Sequence, residues 1–94
     1  MANQTYQLNI RLHTPNGDEL AATFFLGNSS GKADALFHQL HGRRNIEHDA
    51  FIYFELTEVV DQLPVNLKII SCDLEEAGLN MKLILKELFK NTLL

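Results

Sequence analysis

Residues 5–26 read TYQLNIRLHTPNGDELAATFFL, and this stretch decides the predicted fold because its pattern is that of a β-hairpin. Apolar and polar side chains alternate over Thr5–Thr14, as in a half-buried strand. The Asn16-Gly17 pair readily takes the positive φ angles of a tight turn. Glu19–Leu26 predicts the returning strand. Because both of its faces are largely apolar, we expect it to lie further inside the sheet than the first strand.

A helix is predicted after this hairpin. Gly27-Asn28-Ser29-Ser30-Gly31 breaks the strand pattern, and the next segment places apolar residues at the i, i+3, i+4, i+7 spacing of one helix face. We predict a helix over 31–41 with Ser29 or Ser30 as its N-cap. Gly42 is expected to take the left-handed conformation that commonly ends a helix.

The second half of the chain predicts two further strands. Residues 51–56 are apolar on both faces until Glu55, which is typical of a strand at the centre of a sheet. Residues 57–62 fit either a prolonged strand or one helical turn, and Pro64 is expected to end either one. Residues 65–72 alternate again and predict the fourth strand.

The last segment is predicted to be a helix that begins at a capping box, Asp73-Leu74-Glu75-Glu76. Six apolar residues fit a core-facing stripe on this helix: Leu74, Ala77, Met81, Ile84, Leu85 and Leu88. A hairpin interpretation of residues 79–90 stays open because apolar residues also alternate in this segment.

The elements follow the order ββαββα without a repeat or a linker, which predicts one α+β domain over residues 1–94. We expect a four-stranded, mainly antiparallel sheet with both helices on one face. The other face is predicted to meet water or a partner. It is expected to bear Gln7, Asn9, Arg11, His13 and Lys68.

Composition disfavours several classes of partner and compartment. A net charge of −4 and a pI of about 5.4 make nucleic acid an unlikely partner, because a protein that neutralises a phosphate backbone needs many cationic groups. Cys72 is the only cysteine, so no intramolecular disulfide can form. Residues 1–5 lack a signal-peptide pattern, and no apolar run reaches the ~20 residues of a membrane span. We therefore predict a cytoplasmic protein that does not bind membranes.

The loop between the first two strands and the first helix is a candidate anion site. Ser29, Ser30, Gly31 and Lys32 precede or begin the helix, where backbone amides can hold a phosphate. We include Arg43 and Arg44 because guanidinium groups bind phosphate oxygens in pairs. The loop lacks the glycine spacing of a Walker motif and the Ser or Thr that follows its lysine, so a nucleotide enzyme is not predicted.

Other polar residues do not form a recognisable catalytic or metal motif. His13, His38, His41 and His48 lack the spacing of a ligand set and are interpreted as surface residues. Glu55 is expected to point to solvent at the end of its strand. The Cys72 thiol is expected to be packed and inert. We predict no catalytic residue, no metal and no cofactor.

The aromatic residues give the leading functional hypothesis. Phe24-Phe25 and Tyr53-Phe54 place aromatic side chains on both faces of two strands, which is more apolar surface than one layer of helices covers. The sequence therefore favours a non-enzymatic interaction module that binds a protein partner or a second copy of itself. The alternative is a binder of a small anion or phosphate-bearing ligand at the Gly27–Lys32 loop.

Overall fold

The computed structural model describes residues 4–44 and 50–90 and confirms the α+β class and the order ββαββα. The elements are β1 (Gln4–Thr14), β2 (Gly17–Gly27), α1 (Ser30–Gln39), β3 (Ile52–Val60), β4 (Leu63–Cys72) and α2 (Leu74–Lys90). The four strands form one sheet in the order β2-β1-β3-β4, and every neighbouring pair is antiparallel. Among the described residues, neither helix combines the length and apolar character needed to cross a bilayer.

The hydrophobic core lies between the sheet and the two helices. Leu8 of β1 and Phe54 and Leu56 of β3 are buried on the side of the sheet that faces Phe37 of α1 and Ile84 of α2. Alternation along β1 and β3 points every second side chain to this side, so one layer of helices covers the centre of the sheet. The opposite face has no helix on it.

β2 lies at an edge of the sheet, so the prediction that it lies further inside than β1 is wrong. The apolar side chains on its two faces differ in burial. Ala22, Phe24 and Leu26 pack against the core, whereas Leu20 and Phe25 remain exposed. β1 is the interior strand because it pairs with both β2 and β3.

The first hairpin closes through a loop of Pro15 and Asn16, and its closing pair is Thr14 with Gly17. The loop therefore lies one residue earlier than the Asn16-Gly17 pair predicted. Gly17 is the residue with positive φ, at 111°, a conformation that glycine takes without a side-chain clash.

The second hairpin settles the open interpretation of residues 57–62. β3 continues to Val60, so the prolonged strand is confirmed and the helical turn is wrong. Asp61 and Gln62 then form a two-residue loop with φ values of 50° and 72°. Positive φ at both positions is the mark of the type I′ turn, which matches the twist of antiparallel strands.

Pro64 lies inside β4 opposite Val59, so the expectation that it ends the strand is wrong. A proline lacks a backbone N–H and is tolerated in a sheet where that missing donor faces an open edge. β4 is the outer strand on its side of the sheet, and this position supplies that edge.

The capping box of α2 is confirmed, and so is the helical interpretation of residues 79–90. The Glu76 backbone N–H donates to Asp73 Oδ1 over 2.7 Å, and the Asp73 N–H donates to Glu76 Oε1 over 3.0 Å. The predicted core stripe is wrong at Leu74, which is 80% exposed, and at Leu85, which is 37% exposed. Leu74 is the first residue of the helix and extends past the core that Ala77 and Ile84 enter.

Gly42 does not adopt a left-handed conformation, so its predicted role in ending α1 is wrong. Ser29 is the N-cap as predicted, and its Oγ accepts from the Lys32 N–H. Gly42 instead lies close to β4. A Cβ atom there would come within 2.9 Å of the Ser71 carbonyl oxygen and 3.1 Å of Cys72 Sγ, so only glycine fits without a shift.

The segment after α1 is fastened to β4 and α2. Arg43 exchanges two backbone hydrogen bonds with Ser71, of 2.8 and 2.9 Å, and so adds an isolated bridge outside β4. The buried Asn80 amide accepts from the His41 N–H over 2.6 Å and donates to the His41 carbonyl over 2.7 Å. We call residues 41–43, Ser71 and Asn80 the clasp. It holds residues 41–43 against β4 and α2.

Candidate interaction surface

The sheet face opposite the helices, which we call the open face, carries hydrogen-bonded polar side chains from all four strands. We call this set the polar network: Asn9 and Arg11 on β1, Thr23 on β2, Glu55 and Thr57 on β3, and Asn66 on β4. Asn9, Glu55 and Thr57 are buried although no helix covers them. Alternation places Gln7, Asn9, Arg11 and His13 on this face, as predicted.

One line of hydrogen bonds crosses the sheet from edge to edge. Thr23 Oγ1 donates to Asn9 Oδ1 over 2.8 Å, and Asn9 Nδ2 donates to Thr57 Oγ1 over 3.3 Å. Thr57 Oγ1 donates in turn to Asn66 Oδ1 over 2.9 Å. Each strand contributes one residue to this line, which therefore fixes the register of all four strands at their middle.

Glu55 is 4% exposed, so the expectation that it points to solvent is wrong. β3 continues beyond it, which places it in mid-strand rather than at an end. Its carboxylate accepts from Arg11 Nε and, over 3.1 Å, from Asn66 Nδ2. These two donors on the neighbouring strands compensate for the loss of water around a buried carboxylate.

Lys68 is not on the open face, and that prediction is wrong. A register shift opposite Leu56 and Thr57 leaves Leu67 as an extra residue in β4, and this reverses the alternation on either side of it. Lys68 therefore faces the helices and forms an ion pair with Asp34 of α1. Asn66, beyond the shift, faces the polar network instead.

The buried members of the polar network are hydrogen-bonded within the protein. Within residues 4–44 and 50–90, no buried side-chain nitrogen or oxygen lacks a hydrogen-bond partner. Catalytic groups aim an unsatisfied donor, acceptor or proton at a substrate. The network instead satisfies its own members, which suits a structural role under a contact surface.

Exposed apolar side chains adjoin the polar network at the β2 edge. Phe25 is 74% exposed and Leu20 is 53% exposed, and both lie on the open face because they face Gln7 and Arg11 of β1. From Leu20 to Gly27, β2 carries no charged side chain and no proline. Long apolar edge strands without such features pair readily with other strands.

The β4 edge differs because several features block pairing there. Pro64 removes one backbone donor, Leu67 forms a bulge, and Lys68 is a charged residue near the middle of the strand. The backbone groups of Ser71 are already bonded to Arg43. Bulges also occur in β2, at Ala21 and Leu26, so the two edges differ by Pro64, Lys68 and the Ser71–Arg43 bridge, and these features leave β2 as the edge more open to pairing.

The predicted anion loop is a short strand-to-helix connection. Ser29 is engaged as the N-cap of α1, while Ser30, Gly31 and Lys32 are exposed in its first turn. Ser30 and Gly31 line a cleft of about 260 Å³ that also contains the carboxylates of Asp34 and Glu58. These acidic groups oppose a bound anion, and anion binding at this loop stays a prediction.

The two arginines are not brought to that loop. Arg43 and Arg44 follow the C-terminus of α1, whereas Ser29 precedes its N-terminus. A helix of 10 residues is about 15 Å long, so the two halves of the predicted site lie at opposite ends of α1. Both arginines are exposed, and the backbone of Arg43 belongs to the clasp.

The three histidines that the structure describes do not form a metal-ligand group. His13 Nδ1 lies 2.8 Å from Asp18 Oδ1 in the first hairpin, and His38 Nδ1 lies 2.8 Å from the Asp34 carbonyl oxygen in α1. His41 follows α1, and His48 lies outside the described residues. Among the described residues, no three His, Cys, Asp or Glu side chains are grouped as metal ligands.

The predicted packed thiol of Cys72 is confirmed. Cys72 is buried at the end of β4, where its Sγ donates to the His41 carbonyl over 3.2 Å. Burial, reinforced by the negative charge of Glu76, raises the pKa of the Cys72 thiol from 9.0 to about 12. A thiol that stays protonated at neutral pH is a poor nucleophile and a poor metal ligand.

We expect Cys72 to react with a disulfide reagent at pH 8 about a thousandfold more slowly than a free thiol, because its thiolate fraction falls with the raised pKa. In denaturant the reaction rate should rise to that of a free thiol.

Because the pKa of the Cys72 thiol is higher in the folded than in the unfolded protein, the protonated thiol stabilises the fold fully below pH 9.0, and this contribution to the free energy of unfolding is lost as the pH rises toward about 12. Urea unfolding at both ends of this range, compared with Cys72→Ala, measures that loss. Equal losses in the two proteins would contradict it.

Asn80 and Asn66 are the two important residues that sequence reasoning missed. Asn80 lies in the buried part of α2 between Ala77 and Ile84, where a polar residue interrupts the apolar stripe. That interruption was a usable signal, since a buried amide needs partners. Asn66 gave no such signal because the bulge at Leu67 decides which face it occupies.

No protein-family model, curated protein or solved structure matches the chain.

Proposed function

We propose that this protein is a non-enzymatic interaction module that associates with a second copy of itself through β2 and the adjoining part of the open face. The observation that carries the proposal is the state of β2. Within residues 4–44 and 50–90 no strand pairs with its outer side, and Phe25 is highly exposed at this edge. A surface of this kind is stabilised when another strand pairs with it.

The backbone groups on the outer side of β2 favour another β-strand as the binding partner. The outer side of β2 offers alternating N–H and C=O groups, and an extended chain satisfies them in the same way as β1 does on the inner side. Phe25 and Leu20 then provide apolar contacts on one face of the new pair. Hydrogen bonding and apolar burial therefore favour the same occupant.

A second copy fits this edge better than an unrelated chain. Two identical edges in antiparallel orientation are self-complementary, which is the geometry of the twofold dimers that dominate natural oligomers. The uncharged sequence from Leu20 to Gly27 causes no repulsion between copies, although each chain carries a net charge of −4. A longer-range repulsion remains, so the association should strengthen with salt.

Other features support a binding role over catalysis. The polar network is internally satisfied, and the Cys72 thiol is held in its unreactive form. The lone cysteine agrees with a reducing compartment, so we place the module in the cytoplasm as part of this proposal.

Sedimentation velocity from about 5 to about 200 µM tests the proposal, since an edge-strand contact is small and should give a micromolar dimer. Phe25→Lys is expected to raise the dissociation constant about 30-fold, because it replaces the exposed aromatic anchor by a charge at the interface. Far-UV circular dichroism of this variant should be unchanged, since the side chain is outside the core.

Val65→Lys is the matched control for this variant. Val65 is an exposed apolar residue on the other edge strand, β4, and the same charge there should leave dimerisation within about twofold of the wild type. A wild-type protein that stays monomeric throughout the concentration series would refute the proposal. Equal weakening by both variants would place the contact elsewhere.

A further inference from the structure

We infer the register of this dimer: two β2 strands pair antiparallel across a twofold axis at Phe24, joined by backbone hydrogen bonds between Thr23 of each copy and Phe25 of the other. This inference rests on the proposed function and adds the arrangement of the partner. It is argued from the direction of each backbone group in β2 and from the two bulges that limit the regular part of the edge.

The direction of the backbone groups follows from one bond. The His13 N–H donates to the Phe51 carbonyl over 2.8 Å, so the backbone groups of His13 point toward β3. Directions alternate along a strand, and the β1–β3 pairing has no shift, so Leu8 and Ile10 direct their groups toward β2. Their partners in β2 are Phe24 and Ala22.

Thr23 and Phe25 therefore direct their N–H and C=O groups outward. Phe24 and Ala22 use theirs to bind β1, and the residues between and beside them alternate to the free side. Register shifts against β1 leave Ala21 and Leu26 as extra residues in β2. The regular part of the free edge is thus limited to residues 22–25.

A twofold axis at Phe24 gives hydrogen-bond partners to both outward-facing residues of this short edge. It sets Thr23 opposite Phe25 of the partner subunit on each side of the axis, so both outward residues of both copies form hydrogen-bonded pairs. An axis at Thr23 would pair that residue with itself and bring Phe25 against the irregular Ala21 of the partner subunit. The first register keeps both hydrogen-bonded pairs, Thr23 with Phe25 on each side of the axis, within the regular part of the edge.

Side chains agree with the same register. Residues that face each other in antiparallel strands lie on one face of the sheet, so Phe25 would cover Thr23 of the partner subunit on the open face. This contact buries the most exposed aromatic side chain of β2. It also shields the Thr23 Oγ1–Asn9 Oδ1 bond at the end of the polar network.

The dimer closes because the opposite edge cannot repeat the contact. Two four-stranded sheets joined at β2 form one continuous sheet whose outer strands are both β4. That edge carries Pro64, a bulge and the clasp. Growth by further strand pairing is therefore stopped at two copies.

Disulfide trapping tests the register. Paired residues in a hydrogen-bonded antiparallel site have Cα atoms about 5.5 Å apart, within the range of a disulfide. We would purify Thr23→Cys and Phe25→Cys separately, mix them, oxidise with glutathione and identify the covalent dimers by mass. Cys72 is retained in both because it is buried, and the wild type reports any background from it.

The mixture is expected to give the mixed disulfide about tenfold more than Thr23→Cys alone gives its homodimer, because only the mixed pair is adjacent in the inferred register. Efficient trapping of Thr23→Cys with itself would overturn the inference in favour of the other axis. If sedimentation shows dimers of the wild type and of the mixed Thr23→Cys and Phe25→Cys proteins under reducing conditions, and no combination is trapped on oxidation, the register is wrong while the proposed function stands. A wild-type protein without a dimer refutes both.

Discussion

Replacement of Asn80 by alanine is expected to lower the free energy of unfolding by about 3 kcal/mol, because it leaves two backbone groups without partners. The buried Asn80 amide binds both the N–H and the carbonyl of His41. It also donates to Cys72 Sγ over 3.4 Å. The Asn80 side chain is fully buried. Urea unfolding followed by circular dichroism measures the loss.

Leu79→Ala is the control for this measurement. Leu79 is the neighbouring residue in α2 and is 48% exposed, so its truncation should change stability by no more than about 0.5 kcal/mol. Asn80→Asp keeps the acceptor oxygen but loses the Nδ2 donor and brings a carboxylate into the core, so we expect it to be at least as damaging as alanine. A loss from Asn80→Ala no larger than that from Leu79→Ala would contradict the proposed role of the clasp.

The second large effect is expected at Glu55, where truncation to alanine should cost about 3 kcal/mol. It removes the acceptor shared by Arg11 Nε and Asn66 Nδ2 at a site that is almost closed to water. Arg11 keeps part of its hydration because its side chain is 37% exposed, so the loss should fall at the lower end for buried pairs. Chemical denaturation at pH 7 checks this value.

A double replacement tests whether the attraction between Arg11 and Glu55 itself stabilises the protein. Arg11→Met combined with Glu55→Met removes both charges and keeps most of the volume, so it should recover at least about half of the loss caused by Glu55→Ala. Thr5→Ala, at an exposed position on the same strand as Arg11, should have little effect. If the double variant is less stable than Glu55→Ala, then the ion pair itself, rather than the satisfaction of buried groups, stabilises this face.

Local patterns in the sequence were sufficient to predict the elements and their order. Alternation gave the strands, the Asp73 and Glu76 capping box gave the start of α2, and the Ser29 cap gave the start of α1. Each of these depends on residues within a few positions of one another. The α+β class follows from them because strands and helices do not alternate one by one.

Features that depend on distant residues could not be predicted in this way. Glu55 seemed exposed because its partner Arg11 lies 44 positions away, and the pairing of β1 with β3 brings them together. The same holds for Asn80 and His41, which are 39 positions apart. A single extra residue in β4 was enough to move Lys68 to the helical face. Strand order, bulges and partners of buried polar groups are properties of the assembled sheet.

The sequence predicted a contact surface but not its location on the β2 edge. An excess of apolar strand residues indicated a contact surface, and the exposed Phe25 agrees with that reasoning. The sequence could not show that β2 is an edge, since an apolar pattern on both faces also describes an interior strand. The anion-loop residues and the two arginines were grouped by chemistry, and the length of α1 separates them.

The clasp links the integrity of α2 to the state of the β4 edge. Arg43 binds the outward backbone groups of Ser71, and Asn80 of α2 binds the backbone of His41, two residues before Arg43. A chain whose final helix is cut away or unfolded would lose the bonds of Asn80 to His41 and free the outward backbone groups of Ser71 at the β4 edge. Pro64 and Lys68 would still restrict pairing along the rest of β4, but the freed groups add a second place for strand pairing, which favours association beyond two copies. We therefore expect α2 to limit aggregation as well as to complete the core.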